Sequence, residues 1–206
     1  MKHSKKATSI VEAMVITLIL VTGITGMYKI YIESIRLSDS TVNKIQAIQI
    51  AREGIEAMTN IRDTNWILFS SDYKNCWNTL NYESTCIGDT STTNDISGNY
   101  IIYQNNNDRW YLSGAINGSY SVATYRDAYR IYLDGNGFYT QSGGTDLVPL
   151  FTREIKINYL DTDGGAATSN DEKMEIISLV QWRDRSSTNI HKVELKTILS
   201  NWKNKK

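Results

Sequence analysis

A single carboxylate, Glu12, interrupts the apolar stretch SIVEAMVITLIL at residues 9 to 20. From Ala13 to Tyr28 the sequence carries no charged residue at all. An acidic side chain in a membrane-spanning helix costs about 2.5–3.5 kcal/mol at the centre and less near the edge. Glu12 therefore either reaches back to the lipid headgroups from the edge of a membrane anchor, or it meets a cation that another chain supplies.

Two cysteines, Cys76 and Cys86, flank the segment WNTLNYEST. Their spacing matches neither a C-x-x-C redox motif nor a zinc-binding pattern. In a domain outside the cytoplasm, a disulfide between them would stabilise the fold by about 2.5–3 kcal/mol, because it closes a short loop. We favour this disulfide over two unpaired thiols.

The segment DTDGGAATSNDE places Asp161, Asp163 and Glu172 at positions 1, 3 and 12 of a calcium-binding loop. Position 6, which is glycine in such loops, is Ala166, and position 5 holds Gly165 instead of an oxygen ligand. A polar loop between two strands is the favoured interpretation. The sequence thus predicts no cofactor, with calcium as the weaker alternative.

The sequence carries no recognisable catalytic motif. It has no G-x-S-x-G, P-loop, H-E-x-x-H or dinucleotide-binding glycine pattern, and no His–carboxylate cluster along the chain. We therefore predict a protein that is not an enzyme. Most of the tryptophans are expected in the core. Tyrosines near polar turns form a candidate adhesive or DNA-contacting surface: Tyr100, Tyr103, Tyr120 and Tyr125.

The composition divides the chain into two parts. The 22 basic and 22 acidic residues balance, so no overall field attracts nucleic acid or anionic lipid. The apolar residues concentrate near the N-terminus, whereas the remainder is rich in Tyr, Asn, Ser, Thr and Gly. That mixture is typical of an extracellular, strand-rich domain behind an apolar segment.

The apolar segment is long enough to cross a bilayer, which needs about 20 residues. Lysines at positions 2, 5 and 6 precede it and predict a cytoplasmic N-terminus. We place the transmembrane part at about residues 9–32. An ordinary secretory signal peptide is the alternative, but Gly23 and Gly26 make a poor cleavage site.

The apolar segment continues into an amphipathic pattern without a proline, which predicts one helix over residues 8–62. Its second half would pack its apolar stripe on a folded domain. The predicted stripe has spacings of mostly three or four residues and comprises Tyr31, Ile35, Val42, Ile45, Ile48, Ala51, Ile55 and Met58.

The segment KKATSIVEAMVITLIL resembles the class III signal of type IV prepilins and pseudopilins. The resemblance implies cleavage by prepilin peptidase between Ala7 and Thr8, N-methylation of Thr8, and Glu12 at the fifth mature position. Ala7 and Thr8 depart from the usual Gly and from the usual Phe or Met. The end of the helix, AREGIEAMTNIRDTNW, resembles minor pilins of the V or I type.

The resemblance also implies a fold and a set of partners. The expected fold class is α+β, with a leader at residues 1–7, the long helix at 8–62 and an extracytoplasmic β-rich head at 63–206. Glu12 would neutralise the N-terminal amine of a neighbouring subunit in a filament. The implied partners are other pilin subunits, prepilin peptidase, an assembly platform and the membrane, with nucleic acid only for a DNA-uptake pilus.

Alternating apolar residues in the head predict an antiparallel sheet. YIIYQNNNDRWYL and YRIYLDGNGFYTQ each place a polar turn between two short strands, and the turn Asp134 to Gly137 suits a hairpin. FTREIKINYL, MEIISLVQW and HKVELKTIL predict a three-strand meander over the helix.

We therefore expect a structural subunit of a type IV pilus or of a secretion filament. It would be made as a single-pass protein of the cytoplasmic membrane and then moved into a cell-surface filament. The alternative is a membrane-anchored ligand-binding ectodomain that is neither processed nor polymerised. This alternative predicts that Glu12 is replaceable by Leu or Gln without loss.

Overall fold

The computed structural model describes residues 10–88, 96–105, 109–114, 117–161, 172–184 and 188–204. The chain divides into two compact units between Asn43 and Lys44. The second unit is an α+β domain in which a helix packs against an antiparallel sheet. The fold class predicted from the sequence is confirmed.

Helix α1 runs from Ile10 to Leu68 and so continues past Arg62, where the pattern predicted its end. No proline interrupts it, and Phe69 N still donates to Asn65 O at 2.9 Å. In the second unit its buried side recurs every three or four residues, as packing of one helix face requires. The buried residues are Ala47, Ile50, Ala51, Gly54, Ala57, Met58, Ile61, Asn65 and Trp66.

The predicted apolar stripe of this helix was only partly right. Ala51 and Met58 are buried, but Ile45 is 52% exposed, and Val42, Ile35 and Tyr31 in the first unit are also exposed. The true contact face is offset because small residues bring the helix close to the sheet. Hydrophobic periodicity gives little weight to alanine and glycine, so the predicted stripe left out Ala47, Gly54 and Ala57. It also missed the buried Ile50 and Ile61.

Gly54 marks the point of closest approach. A Cβ atom at this position would lie 2.7 Å from Ser178 Oγ and 2.8 Å from Ile155 Cδ1. Both distances are too short for ordinary packing, so the side chains of Ser178 and Ile155 would have to shift to admit any larger residue here.

The described residues form a five-stranded sheet in the order β2–β1–β6–β7–β8, with every neighbouring pair antiparallel. The last three strands are the predicted meander, which is confirmed. The strands are β1 Gly98–Gln104, β2 Trp110–Ser113, β6 Phe151–Tyr159, β7 Lys173–Trp182 and β8 His191–Ser200.

A second, three-stranded sheet has the order β4–β3–β5. Its strands are β3 Tyr132–Leu133, β4 Tyr139–Thr140 and β5 Thr145–Asp146. The predicted hairpin between β3 and β4 is confirmed: Asp134 N donates to Phe138 O at 2.9 Å, and Gly137 has φ of 85°. That positive φ favours glycine, which explains the turn sequence.

The core lies between α1 and the large sheet. Its main cluster joins Met58 and Ile61 of the helix to Ile155, Ile157 and Ile176 of the strands. Of the tryptophans, Trp66, Trp77 and Trp182 are buried as predicted, Trp110 is half-buried, and Trp202 is 56% exposed.

Two short helices complete the head: α2 at Tyr73–Cys76 and α3 at Ala123–Ala128. Single 3-10 turns lie at Leu80–Tyr82, Ser84–Cys86 and Trp202–Asn204. The first two 3-10 turns belong to the segment that follows α2 and leads back toward the edge of the large sheet.

Candidate functional site

The described residues of the first unit present an exposed apolar surface. Between Ile10 and Tyr28 the large apolar side chains are 50–80% exposed. The most apolar stretch of this helix has no buried residue. By length and composition this helix can cross a membrane.

Hydroxyl groups in this segment are already satisfied. Thr17 Oγ1 donates to Met14 O at 2.9 Å, and Thr22 Oγ1 donates to Ile19 O at 2.9 Å. Thr25 Oγ1 donates in the same way to the turn before it. Because these hydroxyls bond within the helix, they do not oppose an apolar environment.

Glu12 is the exception in this surface. It is exposed, lies in the first turn of α1, and has no ion-pair partner among residues 10–88 or the later described segments. Ala7 and Thr8, the predicted cleavage and methylation residues, lie outside the described residues.

This arrangement offers a carboxylate acceptor on an apolar helix. Among the described residues, no group of three His, Cys, Asp or Glu side chains that could hold a metal ion includes Glu12. The group can accept hydrogen bonds from an ammonium brought by another chain, and an apolar environment would make that contact strong.

Cys76 and Cys86 form a disulfide with a Cα–Cα distance of 5.2 Å. Both are buried and pack with Phe69, just beyond the end of α1. The disulfide thus fastens the segment that leaves the helix.

Asp72 holds the same segment through hydrogen bonds. Its carboxylate accepts from Gly88 N at 2.9 Å and from the backbone and side chain of Asn75 at 3.2 and 2.9 Å. Burial alone would raise the pKa of Asp72, but these bonds to the charged form outweigh it and lower the pKa below its usual value.

A buried arginine joins the helix to the sheet. Arg153 on β6 is fully buried, and its Nη1 lies 2.9 Å from Glu53 Oε1 of α1. Its Nη2 donates to Ile102 O of β1 at 3.1 Å. Burial lowers the pKa of Arg153 and the Glu53 charge opposes that shift, so the guanidinium stays charged and paired.

A second buried network covers the other face of β6. Tyr125 of α3 donates from its hydroxyl to Glu154 Oε2 at 2.6 Å, and its ring lies 4.6 Å from that of Tyr129. Burial raises the pKa of Tyr125, and the hydrogen bond to Glu154 and the Glu154 charge raise it further. Sequence reasoning missed both networks, because the partners of Arg153 and Glu154 lie far away in the chain and no local pattern joins them.

The prediction that four tyrosines form an exposed contact surface is wrong for most of them. Tyr120 and Tyr125 are buried, and Tyr100 packs against the core. Tyr103 is half-buried and pairs with Tyr111 across β1 and β2, at a ring distance of 6.2 Å. The polar turns around these tyrosines gave no sign of their direction.

Part of the predicted calcium-binding loop lies outside the described residues. Asp161 and Glu172 are exposed at the ends of the β6–β7 connection, and Asp163 lies outside the described residues. Within the described ranges no three His, Cys, Asp or Glu side chains come together as metal ligands.

Comparisons of this chain with protein-family models, curated proteins and solved structures give no match.

Proposed function

We propose that this chain is a minor pilin or pseudopilin, a structural subunit that is anchored in the cytoplasmic membrane and then assembled through its N-terminal helix. The observation that carries the proposal is the carboxylate of Glu12 in the apolar first part of α1, where the large apolar side chains from Ile10 to Tyr28 are exposed. A soluble domain would bury such a surface, and a simple anchor has no use for the charge.

The partner of Glu12 in this proposal is the α-amino group of a neighbouring subunit. Leaving either charge unpaired between apolar helices would cost several kcal/mol, so the pair fixes the axial offset between subunits. Only one register of two identical helices brings the two groups together. The carboxylate therefore serves specificity of assembly more than its strength.

Processing would create that amino group. Prepilin peptidase would cut between Ala7 and Thr8, and methylation would modify Thr8, as the resemblance to prepilins implies. An assembly platform would then move the mature subunit from the membrane into a type IV pilus or a type II secretion-like filament. The disulfide suits a head that lies outside the cytoplasm, where disulfides persist.

The competing proposal is a single-pass anchored ectodomain that binds a ligand and is never processed. It draws on the same apolar helix, which is sufficient for an anchor by length. It gives Glu12 no role, and so the two proposals differ in what happens when Glu12 is replaced.

The test replaces Glu12 by Gln and by Leu in the native cell. Both variants are expected to accumulate to normal levels in the membrane and to be absent from sheared filaments. Glu33→Gln is the matched control, because Glu33 is an exposed carboxylate on the same helix, 3.1 Å from Arg36. Filaments that contain Glu12→Leu at the unaltered level would refute the assembly role of this carboxylate.

A further inference from the structure

The two edges of the five-stranded sheet are treated differently. At the β2 edge, the side chain of Asn81 pairs with the backbone of Leu112: its Nδ2 donates to the carbonyl at 3.0 Å, and its Oδ1 accepts from the N–H at 2.9 Å. Tyr82 donates from its hydroxyl to Trp110 O at 2.9 Å. These side chains occupy backbone groups that another strand would need.

The capping of β2 has a conformational cost. Asn81 and Tyr82 have φ of 51° and 62°, and two consecutive non-glycine residues in the left-handed region are uncommon. Such strain persists where the surrounding contacts over-determine it. The chain therefore closes the β2 edge against pairing, which is a known protection against edge-to-edge association.

The β8 edge has no such protection in the described part of the chain. The strand is ten residues long, pairs with β7 along its whole length, and shows no hydrogen bond from its outer side to any described residue. Val193 and Leu195 point to the helix side of the sheet, at the margin of the core, and stay half-buried. A further strand would complete their burial.

The charges on β8 select a partner. The side chains on the solvent face of β8 are those of Lys192, Glu194, Lys196 and Ile198. Consider an antiparallel copy that crosses at Leu195, which means that the Leu195 residues of the two strands face each other. Each Glu194 then faces a Lys196, and His191 faces Leu199 at the ends of the paired region. Opposite charges at facing positions stabilise a strand pair, and like charges destabilise it.

Other registers of the same pairing fail. In the register that crosses at Glu194, the two Glu194 residues face each other and Lys192 faces Lys196. In the register that crosses at Lys196, the two Lys196 residues face each other. Crossing at Val193 keeps the charges matched but pairs only five residues of the strand. A parallel, in-register copy opposes every like charge. Crossing at Thr197 opposes no like charges, but it pairs only seven residues and leaves Glu194 opposite Ser200. The register at Leu195 is the one that pairs nine residues and also sets opposite charges against each other.

We propose that β8 pairs antiparallel with β8 of a second copy of this chain, in the register that crosses at Leu195, to form one continuous sheet between two heads. The pair is two-fold symmetric, so it is distinct from the repeating contact of a polar filament. It would link heads of two filaments or of two subunits still in the membrane, and it goes beyond the assembly role of Glu12.

Cysteine cross-linking tests the register. The full chain in detergent has no free thiol of its own, since both native cysteines are in the disulfide. Leu195→Cys is expected to form a covalent dimer with itself on mild oxidation, because facing residues have Cβ atoms about 4.5–5.5 Å apart. Phe138→Cys is the control for random collision, with about tenfold less dimer expected, because Phe138 is exposed and lies beside Gln104 of β1, away from β8.

A charge exchange tests the chemistry. Glu194→Lys and Lys196→Glu alone should each lower the Leu195→Cys dimer yield severalfold, and the double exchange should restore it. Equal yields at positions 195 and 138, or a yield that the two single changes leave unaltered, would overturn the proposal. Repeating the experiment with Glu12→Gln separates the two ideas: the β8 dimer should persist where filament assembly fails.

Discussion

At the scale of single residues, buried charge decides how the helix sits on the sheet. Arg153 lies inside the core and bonds to α1 through Glu53 and to β1 through Ile102 O. Removing one partner of a buried ion pair costs more than the pair contributes, because the other charge remains without compensation.

We therefore expect Arg153→Met to lower the free energy of unfolding by about 3–5 kcal/mol. Denaturation of the full chain in detergent, followed by tryptophan fluorescence, measures this. Arg36→Met is the matched control. The Arg36–Glu33 pair lies exposed on α1, the helix that also carries Glu53, and contributes under about 0.5 kcal/mol to stability. Equal effects of the two changes would contradict the locking role of Arg153.

Replacing Gly54 by alanine is expected to lower stability, although the same change in an ordinary helix raises it. Alanine favours a helix over glycine by about 1 kcal/mol. At Gly54, however, the new Cβ would meet Ser178 Oγ and Ile155 Cδ1, and overpacking typically costs about 1–3 kcal/mol. Gly54→Ala should therefore destabilise the head, as the midpoint of chemical denaturation will show.

Ser178→Ala supplies the companion to that change. Ser178 Oγ is buried and has no hydrogen-bond partner among the described residues. Its removal should be neutral or stabilise by up to about 1 kcal/mol, because an unpaired buried hydroxyl is costly. In the double variant it should also recover part of the loss from Gly54→Ala, and strict additivity of the two changes would argue against the steric explanation.

At the scale of elements, the disulfide holds the segment beyond α1. Replacing Cys76 and Cys86 together by serine should lower the free energy of unfolding by about 2.5–3 kcal/mol, the value for a loop of this size. Reduction of the native protein with dithiothreitol should give a comparable loss. A loss below 1 kcal/mol in both experiments would mean that Asp72 and the local packing hold the segment without the bond.

The elements themselves were the most predictable level. The β6–β8 meander follows from alternation, and the β3–β4 hairpin from the Asp134–Gly137 turn, because both signals are local. The partners of Arg153, Glu154 and Tyr125 are far apart in the chain, so no local pattern reveals them. The contact face of α1 was predicted incorrectly in part for a related reason. The sequence of the helix alone does not show which of its small residues lie against the sheet.

At the scale of the whole molecule, alkaline pH tests the packing of the head. Burial raises the pKa of Tyr82, Tyr120 and Tyr125, so the folded state keeps these protons when unfolded tyrosine ionises near pH 10. The unfolded state then binds fewer protons, and stability falls as pH rises above about 10.

Each fully buried tyrosine should contribute up to about 1.4 kcal/mol per pH unit to this fall. Thermal unfolding between about pH 8 and 11.5 measures the slope. Tyr125→Phe removes one of the titrating groups, and so its slope should be shallower by close to one proton. An unchanged slope would place the alkaline sensitivity elsewhere.

The filament proposal rests most directly on the N-terminus of the protein in its native cell. Mass spectrometry of the N-terminal peptide should find a mature chain that begins at Thr8, with a methyl group on its amine. That amine is the cation that Glu12 of a neighbouring subunit requires. An intact leader, in cells shown to process another prepilin, would contradict the proposal and leave an anchored ectodomain in which Glu12 is an edge residue.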